Sequence, residues 1–227
     1  EKLAVVVRIE EKNMKLYDYW RSSAAFRMRI ALNLKGLEAE REYIHLRRKD
    51  QSSDAYLAVN PQGLVPTLID DDGTRVTQSM AIIEYLDETR PETAPLLPGD
   101  AKGRARVRAL SQAIACDIHP LNNLRVLRVL GAELGLDEET RNEQWYKHWV
   151  DEGMRGLEGL LADGGAGRFS HGNTPTMADV CLVPQVYNAQ RFGCDLSAFP
   201  IALRINDACL EDVAFRDALP ENQPDAG

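Results

Sequence analysis

The feature that most constrains this chain is a change of texture near residue 90. Before it, short alternating apolar runs interleave with helical periodicity; after it, only helical periodicity remains. Between the two lies RPETAPLLPGD (90–100), whose prolines and glycine suit neither a helix interior nor a central strand. The expected organisation is a small α/β domain over 14–90, a linker over 91–100 and an all-helical domain over 101–227.

Within the first part, KLYDYW (15–20) reads as a strand. Phe26, Ile30, Ala31 and Leu34 then recur at three and four, predicting a helix from Ser23 to Lys35 that Gly36 stops. REYIHL (41–46) alternates as a second strand, a short helix is expected over 52–58, and Val65 to Ile69 read as a third strand. Asp72-Gly73 is a hairpin signal that makes TRVTQ the antiparallel fourth strand. A helix from Ser79 to Glu88 closes the set, with Ile82, Ile83 and Leu86 facing inward. This order specifies a mixed four-stranded sheet.

In the second part, apolar residues from Val107 through Ile114, Ile118 and Leu124 to Leu130 keep helical spacing. They predict one long helix, kinked where Pro120 removes a backbone donor. Further helices are expected over 138–162, 176–191 and 200–216. Thr174 or Thr176 caps the 176–191 helix, with Asp179 reaching back; this is a structural device.

Composition removes several classes of function. A net charge of −8 argues against nucleic acid as the main partner, because phosphate binding needs a basic surface. No apolar run approaches the roughly 18 residues of a membrane span, so no membrane partner is expected. Met14 opens MKLYDYW, which reads as a complete start, so residues 1–13 are expected to be translated leader or a misassigned start. Without a visible secretory signal a cytoplasmic location is expected, with Cys116, Cys181, Cys194 and Cys209 reduced and buried. The histidines lack ligand spacing, and no metal is expected.

Chemistry concentrates in YDYWRSSAAFRMRIALNLKG (17–36), where Ser22 and Ser23 open a helix after a strand and a turn. A helix N-terminus offers free N–H groups and a positive end, which suit an anion such as a thiolate. A hydroxyl donating to a thiolate is worth about 1.5–3 kcal/mol, enough to lower a thiol pKa by about one to two units. The same serines also make an ordinary N-cap. In LVP (64–66), a cis Val65–Pro66 peptide would turn backbone outward to pair with an extended ligand, whereas a trans bond would make a simple turn. Gln78-Ser79 opens another helix, where Ser79 either takes a carboxylate or merely caps. Together these junctions outline a site for an extended, acidic thiol peptide.

RSSAAFRMRIALNLKG, NPQGLVPTL, TQSMAIIEYL, CDIHPLNNLRVL and TMADVCLVPQVYNAQRF resemble the zeta-class glutathione transferases, the maleylacetoacetate isomerases. The resemblance implies a thioredoxin-like N-terminal domain, an all-α C-terminal domain, a homodimer and glutathione as cofactor. It assigns Ser22 and Ser23 to the glutathione sulfur. Gln51 and Val65, with Pro66, match residues on its backbone, and Gln78 with Ser79 those on its γ-glutamyl end. His119, Asn123, Leu124 and Arg125 match a segment lining the same site from the helical domain. The Pro120 kink would turn His119 toward it; the alternative is a partly buried helix histidine. The family often carries cysteine after the serines, but here that position is Ala24, so the sulfur has to come from glutathione.

The family also places an arginine where Arg191 stands, and Arg21 and Arg191 are expected to pair with the carboxylates of a small unsaturated diacid. Arg191 would equally suit a helix C-terminus as a simple cation. Surface ion pairing is expected for at least one of Arg27 and Arg29, and a solvated face for Arg104, Arg106 and Arg108. The implied reaction is isomerisation of maleylacetoacetate to fumarylacetoacetate, in tyrosine and phenylalanine breakdown, through reversible addition of the glutathione thiolate. The alternatives are a maleylpyruvate isomerase, a conjugating or dehalogenating transferase of small haloacids, and a non-catalytic scaffold.

Overall fold

The computed structural model describes residues 13–226. The leader assigned to residues 1–13 therefore lies outside the described residues, apart from Asn13. β1 (Lys15–Asp18), α1 (Ser23–Lys35), β2 (Glu40–Tyr43), α2 (Asp54–Val59), β3 (Thr67–Ile69), β4 (Arg75–Thr77) and α3 (Ser79–Thr89) form the sheet-bearing part. The strand order is β2-β1-β3-β4, with β1 parallel to β2 and antiparallel to β3, and β3 antiparallel to β4. Successive residues of β1 serve opposite faces, as the two-residue period requires. Leu16 joins the main core beneath α1 and α3, while Tyr17 packs on the α2 side with Tyr56, ring centroids 5.4 Å apart.

The strands are shorter than their apolar text. β1 stops at Asp18 because that carboxylate is buried, paired with Arg29 and Arg41 at 2.9 Å each, and accepts the Tyr19 N–H. β2 ends at Tyr43, and the chain turns at His45, whose carbonyl accepts from Arg48 N–H. Val65 and Pro66 lie before β3, not within it.

The helical part holds α4 (Ala101–Gln112), α5 (Leu124–Ala132), α6 (Glu138–Thr140), α7 (Lys147–Leu161), α8 (Met177–Arg191), α9 (Pro200–Leu210) and α10 (Val213–Arg216). The single long helix expected through Pro120 is in fact two. A π-helical stretch, Ala113–Ile118, follows α4 and leads into a turn, and Asn123 caps a new helix through Arg125 N–H. Pro120 cannot donate backward and its ring crowds the preceding turn, so the chain leaves the helix. A second π stretch, Arg141–Tyr146, joins α6 to α7 in one continuous run. The helix expected over 200–216 also divides, because the Asp212 carboxylate caps α10 by accepting from Ala214 N–H at 2.9 Å. Thr176 and Asp179 form the capping box of α8.

The two parts share one apolar core, since α1 packs directly on α8 and Phe26 meets Tyr187 edge-on at 5.9 Å. The C-terminal tail returns to the β1–α1 loop, where Asp225 accepts from Trp20 N–H at 3.0 Å.

Three expectations about charged and sulfur side chains are corrected. Arg27 and Arg29 are not surface residues; they are 2% and 1% exposed. Arg29 is satisfied by Asp18 and by the carbonyls of Trp20 and Ala218. Arg106 and Arg108 are half-buried and paired, with Asp163 and Glu84, so this run is not a free solvated face. All four cysteines are free, but Cys116 is exposed and Cys194 only half-buried.

Candidate functional site

A cleft of about 910 Å³ opens between the sheet-bearing part and the helices. Every site residue anticipated above lines it: Arg21, Ser22, Ser23, Gln51, Val65, Pro66, Gln78, Ser79, His119, Asn123, Leu124, Arg125 and Arg191.

At the start of α1, Ser22 is the N-cap and its Oγ accepts from Ala25 N–H at 3.2 Å. Accepting leaves its hydroxyl hydrogen free to donate, so capping and anion binding coexist in one residue. Ser23 is 8% exposed and its Oγ accepts from the Asn188 side-chain amide on α8. The first turn of α1 contains no acidic residue to oppose an anion.

The Val65–Pro66 peptide is cis, and the Val65 N–H and C=O have no backbone partner among the described residues. The preceding Leu64 carbonyl is held by Tyr56 Oη and Asn60 Nδ2, both at 2.7 Å, which makes this edge rigid. Gln51 sits in a 3₁₀ turn, Asp50–Ser52, and its buried Oε1 has no partner among the described residues. Gly63 lies against it with φ +61°, where a β-carbon would meet the Gln51 carbonyl at 3.0 Å. Gln78 also takes a positive φ, 70°, a conformation rare for a non-glycine residue and one that clusters at functional sites. Its side chain donates to Gln62 Oε1 at 2.9 Å, and Ser79 follows as the first residue of α3, 4% exposed.

The helical wall is formed by both π stretches and the turn between α4 and α5. His119 begins that turn, and its pKa is pushed down to about 3 by burial, then by the Arg27 and Arg125 guanidinium groups. It is therefore a neutral imidazole at physiological pH. Asn122 is 9% exposed, and neither polar atom of its side chain has a partner among the described residues.

Charge in the cleft is one-sided. Arg21, Arg27, Arg47, Arg125, Arg128, Arg141 and Arg191 line it, against Glu138 alone among acidic residues described there. The Arg21 guanidinium lies 4.1 Å over Trp20, and that of Arg191 lies 4.6 Å over Phe192. Burial, then Arg21 and Arg47, lower the Arg191 pKa, so these cations converge on one region. Such a cleft receives anions.

The family model described as glutathione S-transferase, N-terminal domain, matches residues 21–89. A probable maleylacetoacetate isomerase of Vibrio cholerae is 50% identical, over 93% of this chain and 97% of its own. The solved holo structure of maleylpyruvate isomerase, a bacterial zeta-class glutathione S-transferase, is 48% identical with a TM-score of 0.89, covering 94% of this chain and 100% of that one. The crystal structure of maleylacetoacetate isomerase from Methylobacterium extorquens AM1, with bound malonate and glutathione, is 43% identical with a TM-score of 0.90, covering 94% and 99%.

This chain belongs to the zeta-class glutathione transferases.

The residues of this zeta-class chain fit glutathione, a tripeptide with two carboxylates and a thiol. The cleft offers a helix N-terminus with two hydroxyls, an unpaired backbone edge at Val65 and an excess of guanidinium groups. Three groups in it escaped sequence reasoning: Arg27, Asn122 and Asn188. A signal for Arg27 does exist in the sequence. α1 reads SAAFRMRIALNLK and contains no carboxylate, so its arginines have no partner within the helix. Asn122 and Asn188 leave no comparable trace.

Proposed function

We propose that this protein is a cytoplasmic, homodimeric, glutathione-dependent isomerase that converts maleylacetoacetate to fumarylacetoacetate. The observation that carries this reading is a thiolate-suited α1 N-terminus without its own cysteine, set in an arginine-lined cleft. Bound glutathione supplies the thiolate whose reversible addition makes the double bond temporarily single, so that it rotates. The chain's own task is to hold the partners in line and meet negative charge where it lies. Ser22 donates to the sulfur while its oxygen caps the helix, and Ser23 is braced beside it by Asn188. Val65 with the cis Pro66, and Gln51, meet the peptide backbone, and Gln78 with Ser79 the γ-glutamyl end. His119, Asn123, Leu124 and Arg125 close the site from the helical side. Arg21 and Arg191, spread over aromatic rings, pair with the carboxylates of the diacid.

A second reading, a maleylpyruvate isomerase, is supported by the likeness to the holo structure of such an enzyme. Supplying each diacid separately, with and without glutathione, tests both readings. Faster turnover of maleylacetoacetate with glutathione recycled is expected. Turnover without glutathione, or of neither diacid, would overturn the mechanism. Stoichiometric loss of glutathione would instead indicate a conjugating or dehalogenating transferase.

A further inference from the structure

Arg27 is the most deeply buried cation of the cleft wall. It is 2% exposed, and among the described residues no carboxylate lies within salt-bridge distance. Its Nη1 donates to Ser79 Oγ at 3.3 Å, and its Nε has no hydrogen-bond partner among the described residues. Arg29, two residues on, is buried to the same degree but is satisfied by Asp18 and two carbonyls. The contrast matters, because an unpaired buried guanidinium is costly unless a negative charge reaches it. Its neighbours do not supply that charge. His119 is neutral, and burial raises the Cys181 pKa so that it stays a thiol. Asn122, in the turn that carries His119, is also buried with an unpartnered amide.

We infer that Arg27 is the buried counter-charge for the α-carboxylate at the γ-glutamyl end of glutathione. The inference rests on the reading that this end sits at Ser79. By donating to Ser79 Oγ, Arg27 occupies a lone pair of that hydroxyl and leaves its hydrogen to point at the carboxylate. The Ser79 N–H at the start of α3, unpaired among the described residues, adds a further donor. Arg27 thus acts twice, as a charge and as the group that positions Ser79.

The test compares wild type, Arg27→Met and Arg27→Lys by calorimetric titration with two peptides. One is glutathione; the other is γ-aminobutyryl-cysteinyl-glycine, which keeps amine, thiol and length but lacks the α-carboxylate. Arg27→Met is expected to weaken glutathione binding about tenfold or more. It should leave the analogue's affinity unchanged, and Arg27→Lys should restore part of the loss. The ligand-free Arg27→Met protein should melt at or above the wild-type temperature, because an apolar isostere replaces a buried charge. Equal losses for both peptides would mean that Arg27 only supports packing, and would overturn the inference. So would a raised pKa of the bound thiol with no discrimination between the peptides, which would place Arg27 at the sulfur. Wild-type protein that binds neither peptide would remove the underlying reading and this inference with it. Binding of both without any effect of Arg27 would remove this inference alone.

Discussion

Asn188 of α8 donates a hydrogen bond to the hydroxyl of Ser23 in α1, joining residues 165 apart in sequence. The contact gives the adjacent serines different surroundings. Ser23 is 8% exposed and held from the helical side, while Ser22 is the more open N-cap.

Ser22→Ala should therefore raise the pKa of bound glutathione by about one unit, as one charge-assisted hydrogen bond is lost. It should also cost about 1 kcal/mol of stability through the missing cap. Ser23→Ala should leave the thiol pKa near the wild-type value and mainly disturb Asn188. Thiolate absorbance against pH reads this directly, and the reverse ordering would reassign the sulfur contact to Ser23.

Arg191→Met should raise KM for the diacid by about ten- to a hundredfold, the worth of a charge-assisted pair. Glutathione affinity should change by less than about twofold, a shift too small to indicate a lost contact. Parallel losses in both would mean that Arg191 shapes the cleft without meeting the substrate.

His119 sets a pH dependence of stability. Above its ordinary pKa of 6.5 the imidazole is neutral in both folded and unfolded chains. Between 6.5 and about 3 the unfolded chain takes up a proton that the buried site refuses, so stability falls as pH drops. Urea midpoints at about pH 7 and about pH 4.5 should converge in His119→Gln relative to wild type. An unchanged pH slope would show that His119 is solvated.

Gly153 on α7 accommodates Ile118 so closely that an added β-carbon would collide with the isoleucine side chain. Gly153→Ala should cost about 1–3 kcal/mol, lowering Tm by about 2–4 °C per kcal/mol. Because Ile118 ends the π stretch just before His119, glutathione affinity should fall as well. Ile118→Ala in the Gly153→Ala background should recover part of both effects; additive losses would show that the collision is not the cause.

Much of the site was legible because its signals are local. Ser22, the Val65–Pro66 bond and Ser79 occupy element junctions, which turn and cap chemistry mark within a few residues. Surface ion pairing, expected for at least one of Arg27 and Arg29, fails for both, because spacing reports which helix face a side chain shares, not what covers that face. Pro120 was read as a kink, but the helix ends there, because Asn123 supplies a cap for a fresh start at Leu124.

The sequence by itself determined the strand–helix order, the mixed sheet, the capping box of Thr176 and Asp179, and the lack of a cysteine at Ala24. These follow from periodicity, caps and side-chain identity, all of which act over a few residues. Only the tertiary structure decided that Arg27 is buried beside Ser79 with no carboxylate partner among the described residues, that Asn188 reaches Ser23, and that His119 is neutral. Those outcomes depend on desolvation and on contacts between α1, α8 and the turn before α5, which exist only once the two parts have packed together.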